Sequence, residues 1–237
     1  MTTRVAYRVA AVLFLSGLFH LVVFFVAGGP WEGPVSWRKP VTFGLSFGLT
    51  LATYAWVGGF LRLGTSRLGT SRLGTSRLKA FWIGLFTVAS VLEVTLIGVQ
   101  AWRGVPSHFN EATALDTVVT RCLTAGGVMI IVSVVALVVA AFRAVHLAPS
   151  MRLAVRAGAA SLAVALAFGG LMIAERGGSW KLSHGVAMHG VLLLPLLAWL
   201  LAFTTGDEAR LTRVVGTAAA GYGALVVAAA VVDAVSL

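Results

Sequence analysis

The chain has 237 residues, of which 59% are hydrophobic and only 11% are charged, and its mean hydropathy is +0.95. This balance excludes an ordinary soluble domain and indicates an integral membrane protein. The formal net charge of +10 does not predict nucleic-acid binding, because the Lys and Arg residues lie in short loops between apolar runs. A single cysteine, Cys122, excludes an internal disulfide framework and a C-x-x-C motif.

Seven apolar runs each approach the ~20 residues that a helix needs to cross a bilayer. They predict an all-α fold, in which residues 1–237 form a single domain built as a bundle of seven transmembrane helices. The first run is longer than the apolar region of a usual signal peptide, so we interpret it as a retained helix. We expect the helices near 5–27, 41–61, 80–102, 117–143, 152–174, 185–204 and 211–234.

The basic residues are distributed unequally between the two sides of the predicted bundle. Twelve of the 18 Lys and Arg residues fall on the side of the N-terminus, and six fall on the other side when helix ends are included. The positive-inside rule therefore predicts a cytoplasmic N-terminus and, after seven crossings, an extracytoplasmic C-terminus. We predict a multi-pass protein of the plasma membrane, which in a bacterium is the inner membrane.

A tandem repeat separates the second predicted helix from the third. The sequence LGTSR occurs three times between Leu63 and Arg77. A five-residue period matches neither the helical turn nor the heptad, so we predict that residues 62–79 form a flexible basic loop in the cytoplasm. This loop is either a tolerated surface expansion or a contact site for anionic lipid headgroups. The arginines that would make this contact are Arg62, Arg67, Arg72 and Arg77.

Small residues predict close approaches between helices. Gly44 and Gly48 form a G-x-x-x-G pattern in the second predicted helix, which is typical of helix contacts in membranes. The same role is expected of Gly126, Gly127, Gly169, Gly170, Gly216, Gly221 and Gly223.

Ionisable residues of several predicted helices gather near one depth. From the helical rise, His20 lies ~18 Å and Glu93 ~21 Å from the cytoplasmic ends of their helices. Arg121 and His189 lie ~7.5 Å below the outer ends of theirs. Ionisable side chains at membrane depth usually face the bundle interior or a water-filled cavity. The sequence therefore predicts an outward-facing polar pocket.

The residues of this predicted pocket have candidate roles. Glu93 and His189 are candidate acid or base residues in catalysis. The candidate ligands of zinc, copper or haem iron are His20, His108, His184 and His189. The candidate substrate-binding residues are Lys39, Gln100, Asn110 and Arg121. Two structural alternatives remain open: Glu93 forms an ion pair with Arg121, and His20 is hydrogen-bonded to a neighbouring helix.

Known seven-helix families can be compared on particular residues. The S-x-x-x-H pattern of Ser16 and His20 resembles an element of adiponectin-receptor-like and ceramidase-like hydrolases, and this resemblance implies a histidine-based zinc site. In those hydrolases the element belongs to the second helix, whereas here it lies in the first, and the last helix lacks their H-x-x-x-H. The last helix also lacks the lysine that a retinal protein requires. The strings RGVPSHFN and HGVAMHG resemble those of bacterial multi-pass proteins, which implies no particular activity.

Two classes of function are consistent with these patterns. In the first, the pocket binds a metal, haem or small molecule and acts on a lipid or other small molecule, so that the chain is either an enzyme or a binding protein. In the second, the chain is a proton-coupled transporter or a membrane sensor, and Glu93 and His20 change protonation. The sequence identifies neither the ligand nor a protein partner, and the lipid bilayer is the partner that it does predict.

Overall fold

The computed structural model describes residues 1–61, 63, 72–175, 179–204 and 206–236, and for 72–76 it describes the backbone alone. Seven α-helices and no strands are found in these residues, and each helix is long and apolar enough to span a membrane. The predicted seven-helix membrane fold is therefore confirmed. The helices are α1 (Thr3–Ala27), α2 (Arg38–Phe60), α3 (Arg72–Trp102), α4 (Ala114–Phe142), α5 (Pro149–Ala174), α6 (Lys181–Leu201) and α7 (Glu208–Val235).

The largest difference from the predicted helix ends lies at the start of α3. This helix begins at Arg72, so residues 72–79 are helical where the sequence predicted a loop. Arg, Leu and Lys have good helix propensity, and extending an existing helix by a turn or two is much easier than starting one. Arg77 is exposed, whereas Arg62, Arg67 and the side chain of Arg72 lie outside the described residues. The predicted contact of these arginines with lipid headgroups stays a prediction.

The chain divides into two compact units. The N-terminal unit comprises Met1–Trp56 and Gly64–Ser133, and the C-terminal unit comprises Val57–Leu63 and Val134–Leu237. The prediction of a single domain over 1–237 is left untested by this division.

Within the N-terminal unit, glycines bring α1 and α2 into backbone contact. A Cβ atom added to Gly44 would lie 2.6 Å from the Cα of Gly17, and one added to Gly48 would lie 2.7 Å from the backbone N of Phe14. The predicted close packing at Gly44 and Gly48 is therefore confirmed. The same packing was expected at four other glycines, but a Cβ added there would meet no described atom within 4 Å; these are Gly127, Gly170, Gly221 and Gly223.

Within the C-terminal unit, α5, α6 and α7 pack together around Ala154, Leu194, Ala198 and Val215. Two carboxylates of α7 bond to the first turns of the other two helices. Glu208, at the start of α7, accepts a hydrogen bond from the backbone N of Ser150 in α5 at 2.6 Å. Asp233, near the end of α7, accepts hydrogen bonds from the backbone N and the Oγ of Ser183 in α6 at 2.7 and 2.5 Å. Both carboxylates satisfy N–H groups that have no partner within their own helix, at the positive end of the helix dipole.

We predict that Gly44→Ala destabilises the protein and that Gly223→Ala does not. An alanine at Gly44 forces α1 and α2 apart, and overpacking of this kind costs about 1–3 kcal/mol. Position 223 has open space, so the higher helix propensity of alanine makes Gly223→Ala neutral or stabilising by up to about 1 kcal/mol. Thermal unfolding of the two variants in one detergent measures the difference. Equal unfolding temperatures would contradict the close packing of α1 on α2.

Candidate functional site

Glu93 is a buried carboxylate in the outer half of α3, as judged from the predicted orientation. Its side chain is 6% exposed, and a Cβ added to Gly126 of α4 would lie only 2.9 Å from its Oε1. Gly126 therefore provides the space that the carboxylate occupies. Among the described residues, no hydrogen-bond donor reaches this carboxylate, and the basic side chain closest to it is that of His108. The alternative ion pair with Arg121 is not formed, because Arg121 is exposed and has no such contact in the described part of the chain.

His108 lies beside Glu93 and is partly exposed. It belongs to the loop between α3 and α4, and its Nε2 is 3.9 Å from Glu93 Oε2. On the other side of the ring, its Nδ1 is 2.9 Å from Ser107 Oγ. About a third of its side chain is exposed (34%), whereas that of Glu93 is almost fully covered. Desolvation of the ring, together with the positive charge of Lys39, lowers the pKa of His108 from 6.5 to about 4, so the imidazole is neutral at pH 7.

A network of hydrogen bonds holds the loop that carries His108. Asp116, in the first turn of α4, accepts from Gln100 Nε2 at 3.0 Å, from Arg103 Nη1 at 2.7 Å and from Thr113 Oγ1 at 2.7 Å. Arg103 also donates to the side-chain oxygen of Gln100. Thr113 caps α4 by accepting from the backbone N of Asp116 at 3.2 Å. This network joins the end of α3 to the start of α4 and so fixes both ends of the loop.

His20 is placed against Trp102 rather than against Glu93. The indole Nε1 of Trp102 donates to Nε2 of His20 at 3.1 Å, and Nδ1 of His20 lies 2.7 Å from the carbonyl oxygen of Ser16. Because Nε2 accepts, Nδ1 carries the proton and donates to that carbonyl. Both nitrogens of a neutral His20 are engaged, and neither has a lone pair left for a metal. The structural alternative for His20 therefore holds, and its partner is the side chain of Trp102 on α3.

Lys39 and Asn110 are both near this site without contacting Glu93. Lys39, at the start of α2, donates to the carbonyl oxygen of Pro34 at 2.9 Å. Asn110 is 9% exposed and donates to the carbonyl oxygen of Pro106 at 3.3 Å, while its own backbone oxygen accepts from Thr120 Oγ1 at 2.8 Å. Asn110 therefore stabilises the loop, and its side-chain amide is hydrogen-bonded to other atoms of the loop.

His184 and His189 belong to the C-terminal unit. His184 Nδ1 lies 2.8 Å from the carbonyl oxygen of Ala165 on α5, and His189 Nδ1 lies 2.6 Å from that of Gly185 on its own helix. Since a carbonyl only accepts, both rings carry their proton on Nδ1 when neutral. The two rings thus bond in different directions, as their five-residue spacing on a regular helix requires.

The predicted metal site gains no support from this arrangement. In the described part of the chain, no group of three or more His, Cys, Asp or Glu side chains is arranged to hold a metal ion. Zinc, copper or haem at His20, His108, His184 and His189 stays a prediction without structural support. The same is true of catalysis by Glu93 and His189.

Sequence reasoning missed three contributors to the site. Trp102 was not considered as a partner of His20, and Gly126 was assigned to helix packing rather than to space for Glu93. Asp116 was given no role, although the T-x-x-D spacing of Thr113 and Asp116 is the pattern of a helix N-terminus and marks where the loop ends.

In comparisons with protein-family models, curated protein sequences and solved structures, no significant match to this chain was found.

The pKa of His108 predicts how acid affects stability. A histidine released by unfolding binds its proton near pH 6.5, whereas folded His108 does so only near pH 4. This difference contributes to stability above pH 6.5, and the contribution decreases as the pH falls from 6.5 towards 4. Across this pH window, we expect the unfolding temperature of His108→Gln to fall less than that of the unchanged protein. The control is His146→Gln, at an exposed histidine of the C-terminal unit, and an equal effect of both substitutions would exclude this role for His108.

Proposed function

We propose that this protein is a proton-responsive membrane sensor in which Glu93 takes up and releases a proton on the outer side through His108. The observation that carries the proposal is the surroundings of Glu93. Its side chain is 6% exposed in a membrane-spanning helix, and its carboxylate meets no hydrogen-bond donor or permanent cation in the described residues and has an imidazole as its neighbour.

The energetics of this carboxylate make its protonation state sensitive to its surroundings. A charged carboxylate at membrane depth without a partner is costly, and protonation removes that cost. Asp116 contrasts with it, since three side chains donate to its carboxylate. A charge on Asp116 is thus compensated by its neighbours, whereas a charge on Glu93 depends on how the helices around it are arranged.

His108 supplies the route for the proton. A neutral imidazole has one protonated nitrogen and one lone pair, so it accepts a proton on one nitrogen and releases one from the other. The distance of 3.9 Å between Nε2 and Glu93 Oε2 exceeds a hydrogen bond. Transfer therefore requires a closer approach of the ring or one bridging water. Because about a third of the His108 side chain is exposed, the ring can exchange a proton with solvent directly.

Gly126 provides the link from protonation to conformation. The glycine lets α4 pass close to the Glu93 side chain, so a change in the charge and hydration of this carboxylate acts directly on the contact between α3 and α4. A protonated carboxyl group tolerates an apolar contact, whereas an ionised one favours water or a donor. We propose that ionisation of Glu93 opens this contact and that protonation closes it.

Proton sensing requires fewer ligands at the site than the other predicted functions do. Glu93 needs only the neighbouring imidazole of His108 to exchange a proton, whereas a metal would need further ligands that the described residues do not group together. Within the N-terminal unit, this geometry favours the proton as the ligand of Glu93. The part of the earlier hypothesis that used His20 as a second proton carrier is replaced by His108, because both nitrogens of His20 are engaged.

We predict that the titration of one buried carboxyl group is lost in Glu93→Gln. Infrared difference spectra of the protein in lipid nanodiscs, recorded as the pH is changed, detect the carbonyl band of a protonated carboxyl group. The band should disappear in Glu93→Gln and remain in Glu111→Gln, which removes an exposed carboxylate of the nearby loop. His108→Ala should keep the band but slow its response to a pH jump, since it removes the relay and leaves the acid.

Tryptophan fluorescence provides the conformational test on the same samples. Trp102 follows Glu93 on α3, so movement of α3 should change its emission with pH in the unchanged protein and not in Glu93→Gln. A carboxyl band that persists in Glu93→Gln would overturn the assignment of the proton. A pH-dependent emission that persists in this variant would overturn the coupling to conformation.

A further inference from the structure

A small cavity lies at the start of α2 in the N-terminal unit. Three apolar side chains from α3 and the following loop form part of its wall, namely Ile97, Ala101 and Val105. Its polar lining includes Ser36, Lys39 and Ser107. The volume of about 10 Å³ admits one guest of about the size of a water molecule.

Ser36 presents a hydroxyl group that requires a partner. The residue is 4% exposed, and its Oγ has no hydrogen-bond partner among the described residues. A buried hydroxyl without a partner costs free energy, and the majority of such groups in proteins are satisfied. Because this residue lines the cavity, a guest that accepts a hydrogen bond would satisfy it.

The electrostatic surroundings favour a negative guest. Lys39 brings a positive charge to the cavity wall, and the same charge contributes to the lowered pKa of His108. The cavity also adjoins the N-terminus of α2, which begins at Arg38 and has the positive end of its dipole there. All the described side chains that line the cavity are basic, hydroxylic or apolar, and none is acidic.

We propose that this cavity is a binding site for one monovalent anion of halide size, such as chloride. Ser36 and Ser107 donate hydrogen bonds from their hydroxyl groups, and Lys39 with the first turn of α2 supplies the positive potential. The apolar remainder of the wall suits a weakly hydrated monatomic ion, and the volume excludes larger oxyanions such as sulfate. This site adjoins His108 through Ser107, but the anion binding proposed here does not depend on the proposed sensing function.

Thermal unfolding in detergent tests the site, with chloride exchanged for gluconate at constant ionic strength. Gluconate is too large for the cavity, so the unfolding temperature should rise with chloride and level off once the site is filled. Ser36→Ala removes a hydrogen bond to a charged guest and should weaken the apparent chloride affinity about tenfold or more. Lys39→Gln should weaken it at least as strongly. Arg121→Gln is the matched control, since it removes one exposed positive charge of the same unit away from the cavity.

Crystals soaked in bromide provide a second measurement that does not depend on stability. The anomalous signal of bromide should lie within hydrogen-bond distance of Ser36 Oγ and should be absent in Ser36→Ala. A water molecule in the cavity without bromide would overturn the proposal. So would a chloride effect that is absent from the unchanged protein, or one that is equal in Ser36→Ala and Arg121→Gln.

Discussion

A polar group inside a membrane protein must find its partner within the protein, because the hydrocarbon offers none, and this constraint organises the interior of this chain. Asp116 accepts from three side chains, Asp233 accepts twice from Ser183, and His20 uses both of its nitrogens. Each of these groups ties one helix or loop to another. Glu93 is the contrast within the N-terminal unit, since it is similarly buried, and the described residues place only a distant imidazole beside it. The groups with full sets of partners hold neighbouring helices and loops together, and Glu93 has no such set among the described residues.

The fold was largely predictable because hydropathy and length identify a membrane helix without knowledge of its neighbours. All seven spans were located in this way. The start of α3 was not predicted, because the repeat around Arg72 is polar and its period fits no helix. An apolar helix nevertheless extends into this repeat. Residues next to a formed helix can add backbone hydrogen bonds to it at little cost. The periodicity of the side chains gives no information about this extension.

The candidate site was predictable in depth but not in contacts. Helical rise placed His20 and Glu93 at one level, but it could not give the rotation of each helix about its axis. That rotation turns His20 towards Trp102 and Arg121 towards the surface. The approach of His108 depends on a loop whose path is set by Asp116 and Arg103, two residues whose pairing spans 13 positions. The sequence could therefore predict the unusual burial of Glu93. The proximity of the loop histidine His108 to this carboxylate could be seen only in the structure.

The two carboxylates of α7 have a consequence for how the protein is made. Glu208 accepts a hydrogen bond from the first turn of α5, and Asp233 accepts one from the first turn of α6. From near its two opposite ends, α7 thus satisfies N–H groups that have no partner within α5 or α6. A ribosome delivers α7 after both of them. Until it arrives, α5 and α6 enter the membrane with these N–H groups dependent on water or lipid headgroups. The C-terminal unit thus reaches its final hydrogen bonding only when its last helix is inserted, and translation order makes α7 the step that completes assembly.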